Sequence, residues 1–226
     1  TKFPLYPELL ITMPSYHKIA SLMDQFRPDI VHLATEFSLG WQGMKYALRH
    51  DLPVTSTYHT NFVQYLRYYK LPFLEKPGWR YLRWFHRRCQ INFTPSISTL
   101  RLLEQHGIPN LRHCPHGIDS ELFNPLYRSE KLRSGYLDSP EGILLLYVGR
   151  IAPEKDLEVL LKAAALLNQH GLQYKLLMVG DGPSRRKLEN LNIDNVLFLG
   201  YKHGQELYDL YASADIFVFP SVTETF

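Results

Sequence analysis

The sequence has few cysteines and no long apolar run. Its 226 residues include two cysteines, Cys89 and Cys114, which lie far apart without the spacing of a metal site. This usage indicates a reducing compartment. No apolar stretch approaches the roughly 18 residues that a membrane span needs, and we find no signal peptide. We therefore predict a cytoplasmic protein.

Two further absences exclude classes of function. The sequence has no G-x-G-x-x-G fingerprint, which disfavours a nicotinamide dehydrogenase. A formal charge of +3 is too small to indicate a nucleic-acid partner. The chain also opens at Thr1 without methionine and stops at Phe226, where a further helix is expected after an apolar strand. From these ends we expect a fragment of a longer protein.

Strand and helix patterns alternate along the chain. We predict strands at 30–34, 53–58, 91–94, 111–115, 144–148, 175–179, 196–199 and 216–219. We predict helices at 15–26, 39–50, 62–69, 78–88, 98–105, 157–169, 184–191 and 205–213. Such alternation is typical of parallel sheets with right-handed crossovers. The turn at 116–119 and the loop after it mark a boundary, so we predict domains at 1–125 and 126–226.

The clearest candidate site follows the strand at 144–148. Gly149 permits a sharp turn, and Asp156 is placed to cap the next helix. Arg150 and Lys155 lie between these two residues. Open α/β sheets bind ligands at the carboxyl ends of their strands, and helix N-termini favour anions. The pattern predicts a diphosphate site; the alternative is an ordinary turn with two solvated cations.

Three other strand ends carry candidate residues. At 180–183 two glycines permit positive φ, so that N–H groups can face an anion or a nucleobase, unless this is an ordinary turn. His59 follows a strand and is either a site residue or a structural hydrogen-bonding group. Glu224 could accept hydrogen bonds from sugar hydroxyls, or could complement a helix dipole.

Positive charge is concentrated in one segment. Residues 61–90 contain seven lysines and arginines and one acid, Glu75, a local excess of +6. At helical spacing Arg80, Arg83 and Arg87 share one face, and aromatic and apolar residues cover the other. A helix of this kind can lie on an anionic bilayer. The alternative is a surface helix that packs its aromatic side on the core.

Together these stretches resemble the retaining glycosyltransferases of family 4, which have the GT-B fold. The likeness covers nearly the whole chain and is nearest to the branch that glycosylates lipids. The matching motifs are Val148-Gly149-Arg150 with Glu154-Lys155, Gly180-Asp181-Gly182-Pro183, Leu199-Gly200-Tyr201, the run from Tyr211 to Ser221, and Glu224-Thr225-Phe226. Tyr58-His59-Thr60 and Pro115-His116-Gly117-Ile118-Asp119 extend it into the first half.

The resemblance implies an α/β protein with two Rossmann-like domains facing each other across a cleft, both incomplete here. It implies that Arg150 and Lys155 hold the donor diphosphate and stabilise the leaving nucleotide, with His59 beside the donor sugar. It also implies a set of donor contacts, with backbone groups toward the base and a carboxylate toward the sugar. These are Gly149, Gly182, Gly200, Tyr201 and Glu224. No metal or other cofactor is implied.

The sequence departs from the family pattern at three places. Family members begin with a strand and a glycine-rich loop that this chain lacks, and they carry a second glutamate beyond its last residue. His116 stands where asparagine is more common. These departures imply half a donor site, and we expect this chain alone to be inactive.

The resulting hypothesis is a transferase. It would move a hexosyl group from a nucleotide-diphosphate sugar to a lipid or glycan acceptor at the cytoplasmic face of a membrane. One alternative is a nucleotide-sugar epimerase of similar fold. Another is a non-catalytic module that docks on anionic membranes through the basic helix.

Overall fold

The computed structural model describes residues 2–3, 6–10 and 14–225, with side chains from residue 14 onward. The chain divides into two units, Thr1–His116 with Thr223–Phe226, and Gly117–Val222. The sequence-based boundary, after residue 125, therefore differs from the structural one. The chain also returns to the first unit at its end, where the side chain of Asn61 donates to the carbonyl oxygen of Thr223.

The first unit contains a hairpin and a parallel sheet. The hairpin strands are β1 (Lys2–Phe3) and β2 (Tyr6–Leu10). The helices are α1 (Tyr16–Phe26), α2 (Ser38–Arg49), α3 (Phe62–Tyr68), α4 (Glu75–His86) and α5 (Ile97–Gln105). The sheet strands are β3 (Val31–Leu33), β4 (Val54–Thr57), β5 (Ile91–Thr94) and β6 (Leu111–His113), paired in that order.

Apolar residues at helical spacing cover this sheet. Met44 and Ala47 of α2 pack with Phe85 of α4 against Val31 and Val54 of the sheet. All five side chains are buried, so the period of the helices matches the face that they present to the strands. Because every pairing is parallel, the carboxyl ends of all four strands lie at one edge.

The second unit is a second parallel sheet with helices on both faces. Its strands are β7 (Ile143–Val148), β8 (Tyr174–Val179), β9 (Val196–Gly200) and β10 (Ile216–Phe217), in the order β10-β7-β8-β9. Its helices are α6 (Glu130–Tyr136), α7 (Leu157–Gln169), α8 (Arg185–Glu189) and α9 (Gln205–Ser213).

The apolar run of β7 is buried on both sides. Leu145 and Tyr147 pack in one core cluster with residues of α7 and α8, and Leu144 and Leu146 pack in another with residues of α6 and α9. A strand that is covered on both faces has no polar face to show. This explains why the sequence here is continuously apolar rather than alternating.

The predicted elements agree with the structure, with a few differences. The predictions at 91–94, 157–169 and 205–213 match β5, α7 and α9 residue for residue. The hairpin and α6 were missed. Helix α6 is short and includes Gly135, although Ser129 caps it by accepting from the N–H of Leu132. Helix α4 begins earlier than predicted, because Pro77 lies in its first turn, where a proline is tolerated.

Candidate functional site

In the second unit two strand-to-helix turns pack backbone against backbone. Gly149 donates its N–H to the carbonyl oxygen of Val179, and Ile151 donates to that of Asp181, at 3.0 and 2.9 Å. A Cβ atom on Gly180 would lie 2.0 Å from the carbonyl oxygen of Gly149. A Cβ on Gly182 would lie 2.4 Å from that of Ile151. The glycines are therefore required by this close approach.

We expect Gly180→Ala to destabilise the protein by at least about 2 kcal/mol. The added methyl group would overlap a backbone oxygen, and φ is +123°, a conformation that L side chains rarely adopt. Urea unfolding measures the change. The control is Gly135→Ala, where no atom lies within 4 Å of the new Cβ and a helical alanine is expected to stabilise. Equal effects of the two substitutions would contradict the packing argument.

The turn after β7 contains the two predicted phosphate-binding cations. Arg150 forms an ion pair with Glu154, whose side chain is fully buried, while a third of the arginine side chain stays exposed. The ammonium group of Lys155 lies 5.5 Å from the centre of the Phe219 ring, a cation–π geometry. Tyr147 donates from its hydroxyl to the carbonyl oxygen of Arg150 at 2.9 Å. The turn thus carries two fixed cations at the carboxyl edge of the sheet.

The N–H groups at 180–183 agree with the alternative of an ordinary turn, and the expected cap by the Asp156 side chain is wrong. The N–H of Gly180 donates to the carbonyl oxygen of Gly200, and the N–H of Gly182 donates to the Asp181 carboxylate at 2.7 Å. Both N–H groups are thus engaged within the protein instead of facing an anion. Asp156 has φ of 52° and makes no side-chain hydrogen bond as the N-cap of α7; its carbonyl oxygen accepts from Val159.

The turn after β9 holds the two residues predicted to lie near the base. Gly200 has φ of +70°, and its carbonyl oxygen accepts the N–H of Gly180 at 2.8 Å, which joins this turn to the preceding one. Tyr201 is 61% exposed, and its ring lies nearly parallel to that of His203. The structure therefore brings together Gly149, Arg150, Lys155, Gly182, Gly200 and Tyr201 at adjacent strand ends of the second unit.

In the first unit His59 lies just after β4 and is exposed. Burial of part of its ring lowers its pKa, and the nearby ring of His116 lowers that pKa further, against the opposing charge of Glu36. The hydroxyl of Thr225 donates to the backbone oxygen of His59 at 3.0 Å. The imidazole is therefore biased toward its neutral form.

Glu224 lies beside this turn of the first unit. The side-chain amide of Asn61 donates to the carbonyl oxygen of Glu224 at 3.3 Å. The predicted domain limits placed Glu224 in the second domain, whereas the contacts place it in the first unit. His59 and Glu224 thus form a second group of predicted site residues.

Sequence reasoning missed a buried polar cluster at the same edge. Glu36 follows β3 and is 4% exposed, and its carboxylate lies 3.4 Å from Nε2 of the fully buried His86. Burial opposes protonation of His86, but hydrogen bonding to Cys89 and the charge of Glu36 raise its pKa to about 9. His59 was selected because ligand-binding residues tend to follow the carboxyl ends of parallel strands. The same reasoning could have selected Glu36, which lies just after the strand predicted at 30–34.

The basic helix α4 presents only part of its predicted charge to solvent. Arg80 and Arg87 are exposed, but Arg83 is half-buried and donates to the carbonyl oxygen of His106 at 3.2 Å. The exposed guanidinium of Arg88 lies 4.1 Å above the Trp84 ring. The apolar side of the helix is buried, including Trp79. This helix therefore both packs on the core and exposes cations.

In the described part of the chain no group of three His, Cys, Asp or Glu residues is placed to hold a metal ion. No helix in that part has the length and apolar character needed to cross a bilayer.

The fold and the site define a class of protein. Two parallel α/β units are the architecture of the GT-B fold. Residues 1–122 match Glycosyltransferase Family 4 and residues 129–226 match Glycosyl transferases group 1, so the chain belongs to glycosyltransferase family 4. The family resemblance inferred from the motifs is confirmed.

Named relatives agree with this class. The chain is 34% identical to a GDP-mannose-dependent alpha-mannosyltransferase of Corynebacterium glutamicum, over 100% of this chain and 53% of that protein. It is 33% identical to an alpha-monoglucosyldiacylglycerol synthase of Streptococcus pneumoniae, over 93% of this chain and 50% of the relative. A sucrose-phosphate synthase structure from Thermosynechococcus elongatus superposes with a TM-score of 0.75 at 23% identity, covering 93% and 55% of the two chains. The chain thus spans about half the length of these proteins.

Proposed function

We propose that the whole protein transfers a hexosyl group from a nucleotide-diphosphate sugar to a lipid or glycan acceptor, with retention at the anomeric carbon. The observation that carries this proposal is the turn after β7, in which Arg150 and Lys155 are fixed at the carboxyl edge of the sheet. A relative with a GDP-mannose donor and another named for a diacylglycerol product support the two substrate classes.

The proposed chemistry needs the two cations most at the transition state. The bond between the anomeric carbon and the phosphate oxygen breaks with its electron pair on the phosphate, and the acceptor oxygen bonds to the carbon and loses its proton. Negative charge therefore builds on the departing diphosphate. Arg150, held by Glu154, and Lys155 would stabilise that charge without moving, which lowers the barrier. We expect no metal requirement.

The first unit would contribute contacts to the donor sugar. A largely neutral His59 can both donate to and accept from sugar hydroxyls. The Glu224 carboxylate, carried on a segment that Asn61 anchors, would accept from other hydroxyls of the same sugar. Gly200 and the exposed Tyr201 would lie near the base.

A thermal-melt screen of the full-length protein tests the donor site. UDP, GDP and ADP are added singly at about 100 times their dissociation constants, where a ligand contributes roughly 2.7 kcal/mol of stability. We expect a raised melting temperature with one nucleotide in the unaltered protein and no shift in the Arg150→Ala variant. A flat result with all three nucleotides would count against a donor site and favour the membrane-docking alternative.

Product analysis separates transfer from epimerisation. A transferase with donor and acceptor lipid present releases free nucleotide and forms a glycoside. An epimerase of similar fold forms no glycoside. Failure to detect nucleotide release with any common donor and membrane lipids would lead us to abandon the transferase proposal.

We also propose that the protein binds the cytoplasmic face of membranes peripherally through α4. Exposed Arg80 and Arg87 are expected to attract anionic lipid, each contributing about 1 kcal/mol. Sedimentation with phosphatidylglycerol vesicles should show binding that weakens with salt and is lost in the double variant Arg80→Glu, Arg87→Glu. The control has the same change of charge at exposed Arg101 and Arg112. Equal losses in both double variants would show a general charge effect rather than a docking face.

A further inference from the structure

Two histidines stack at the carboxyl edge of the first unit's sheet. The ring centroids of His59 and His116 are 5.4 Å apart, and the ring planes differ by 10°. His59 follows β4 and His116 follows β6, so the two rings come from separate strand ends. The stack is therefore a product of the tertiary fold and not of local sequence.

We propose that His116 is a positioning residue for His59. It holds the plane of the His59 ring parallel to its own ring and keeps that imidazole uncharged, ready to contact the donor sugar. This inference rests on the role of His59 in the proposed function.

The hydrogen bond that fixes the His59 main chain does not fix the orientation of its ring. Its main chain is tied at the carbonyl oxygen by the hydroxyl of Thr225, at 3.0 Å. Its side chain lies at the exposed edge, where side-chain rotamers exchange freely. A flat contact from His116 on one ring face restricts that freedom. A ring that is already oriented loses less entropy when it binds a sugar hydroxyl.

The surroundings of the stack also favour the uncharged form of His59, because their net effect lowers its pKa. Partial burial lowers the pKa of His59, the charge of His116 lowers it further, and His32 adds a smaller effect of the same sign. Glu36 opposes these effects. A charged His116 opposes protonation of His59 because two cations would face each other. A neutral His59 keeps a ring nitrogen that can accept a hydrogen bond, which a protonated ring lacks.

The test uses the full-length protein with three substitutions. His116→Phe keeps a flat ring and removes the charge, whereas His116→Ala removes both. The matched control is His113→Ala, which changes an exposed histidine of β6. Two readouts are taken for each: the pKa of His59 from NMR titration of ¹⁵N-labelled histidines, and kcat and KM for nucleotide release across pH.

We expect the unaltered protein to show a His59 pKa below the ordinary value of about 6.5. In His116→Phe that pKa should rise toward the ordinary value. As pH is lowered, kcat/KM should therefore begin to fall at a higher pH than in the unaltered protein, while activity at neutral pH is retained. In His116→Ala, kcat/KM should fall roughly tenfold at neutral pH, since loss of orientation alone can cost that much. His113→Ala should change neither readout.

An unchanged His59 titration in both His116 variants, with unchanged kinetics, would overturn the proposal. If His116→Ala unfolds, His116→Phe still decides through the pKa of His59. If the unaltered protein releases no nucleotide, the proposed function fails, whereas the NMR titration still decides whether the stack controls His59.

Discussion

Replacing Arg150 with alanine in the full-length protein is expected to lower kcat by roughly 30- to 1000-fold, equivalent to about 2–4 kcal/mol of lost transition-state stabilisation. The buried Glu154 fixes the guanidinium in place, so the group needs no reorganisation as the diphosphate departs. The effect should appear in kcat more than in KM, since the cation interacts most strongly with charge that develops during the reaction. Steady-state kinetics with donor and acceptor measure it.

Lys155→Ala is expected to have an effect of the same order. Its ammonium group lies in the same turn, over the Phe219 ring. The control is Arg186→Ala, which removes an exposed cation from α8 in the same unit. Near-normal turnover in either Arg150→Ala or Lys155→Ala would show that the turn after β7 does not hold the diphosphate.

The second large effect is expected on stability, from Asp215→Ala. One oxygen of Asp215 accepts from the Arg133 guanidinium at 2.7 Å and from the N–H of Leu144 at 2.8 Å. The other accepts from Arg128 at 3.0 Å. Because the Arg133 side chain is only 7% exposed, a buried charge would keep only the exposed Glu130 carboxylate, 3.4 Å away, as its ion-pair partner. We expect a loss of about 3 kcal/mol in the free energy of unfolding, measured in urea.

An exposed ion pair provides the control for this effect. Asp138 and Lys175 are also 3.0 Å apart, but the Asp138 side chain is 87% exposed. Asp138→Ala should cost less than about 1 kcal/mol. Similar losses in the two variants would mean that burial of Arg133 is not what makes Asp215 important.

The same carboxylate makes stability depend on pH. Burial raises the pKa of Asp215, but the hydrogen bond from Leu144 and the two arginines outweigh burial and lower it. A depressed pKa in the folded state means that the stabilisation is fully present above the unfolded value of about 3.9. This stabilisation is lost as the pH falls from the unfolded-state pKa through the pKa of Asp215 in the folded protein. Asp215→Asn should therefore lose less stability than the unaltered protein over that acid range.

Much of the fold could be predicted because local patterns and global packing agree. The apolar run at 144–148 has the length of a strand and is buried on both faces. Helix α7 could be predicted to the residue, because polar residues flank it and four apolar residues face the core at helical spacing, namely Leu157, Leu160, Leu161 and Ala164. Elements without such periodicity, such as α6, could not be found in this way.

The site was predicted only in outline. Strand ends selected turns that the structure places side by side in the second unit, but the sequence did not show that the N–H groups of Gly180 and Gly182 are already engaged, or that Arg83 is half-buried. Those facts depend on hydrogen-bond partners from other elements. The buried pair of Glu36 and His86 escaped for the same reason, since the two residues are brought together only by packing of α4 on the sheet.

By itself the sequence determined the class of fold, the order of its strands and helices, and the family to which the chain belongs. These follow from residue types at short spacing, because periodicity and turn chemistry act locally. Only the tertiary structure decided which groups meet. It placed Glu224 with His59, stacked His59 on His116, and paired Arg150 with a buried carboxylate. The first two contacts join residues that are far apart in the sequence. Arg150 and Glu154 are only four residues apart, but the burial of the Glu154 carboxylate depends on tertiary packing, which no local pattern encodes.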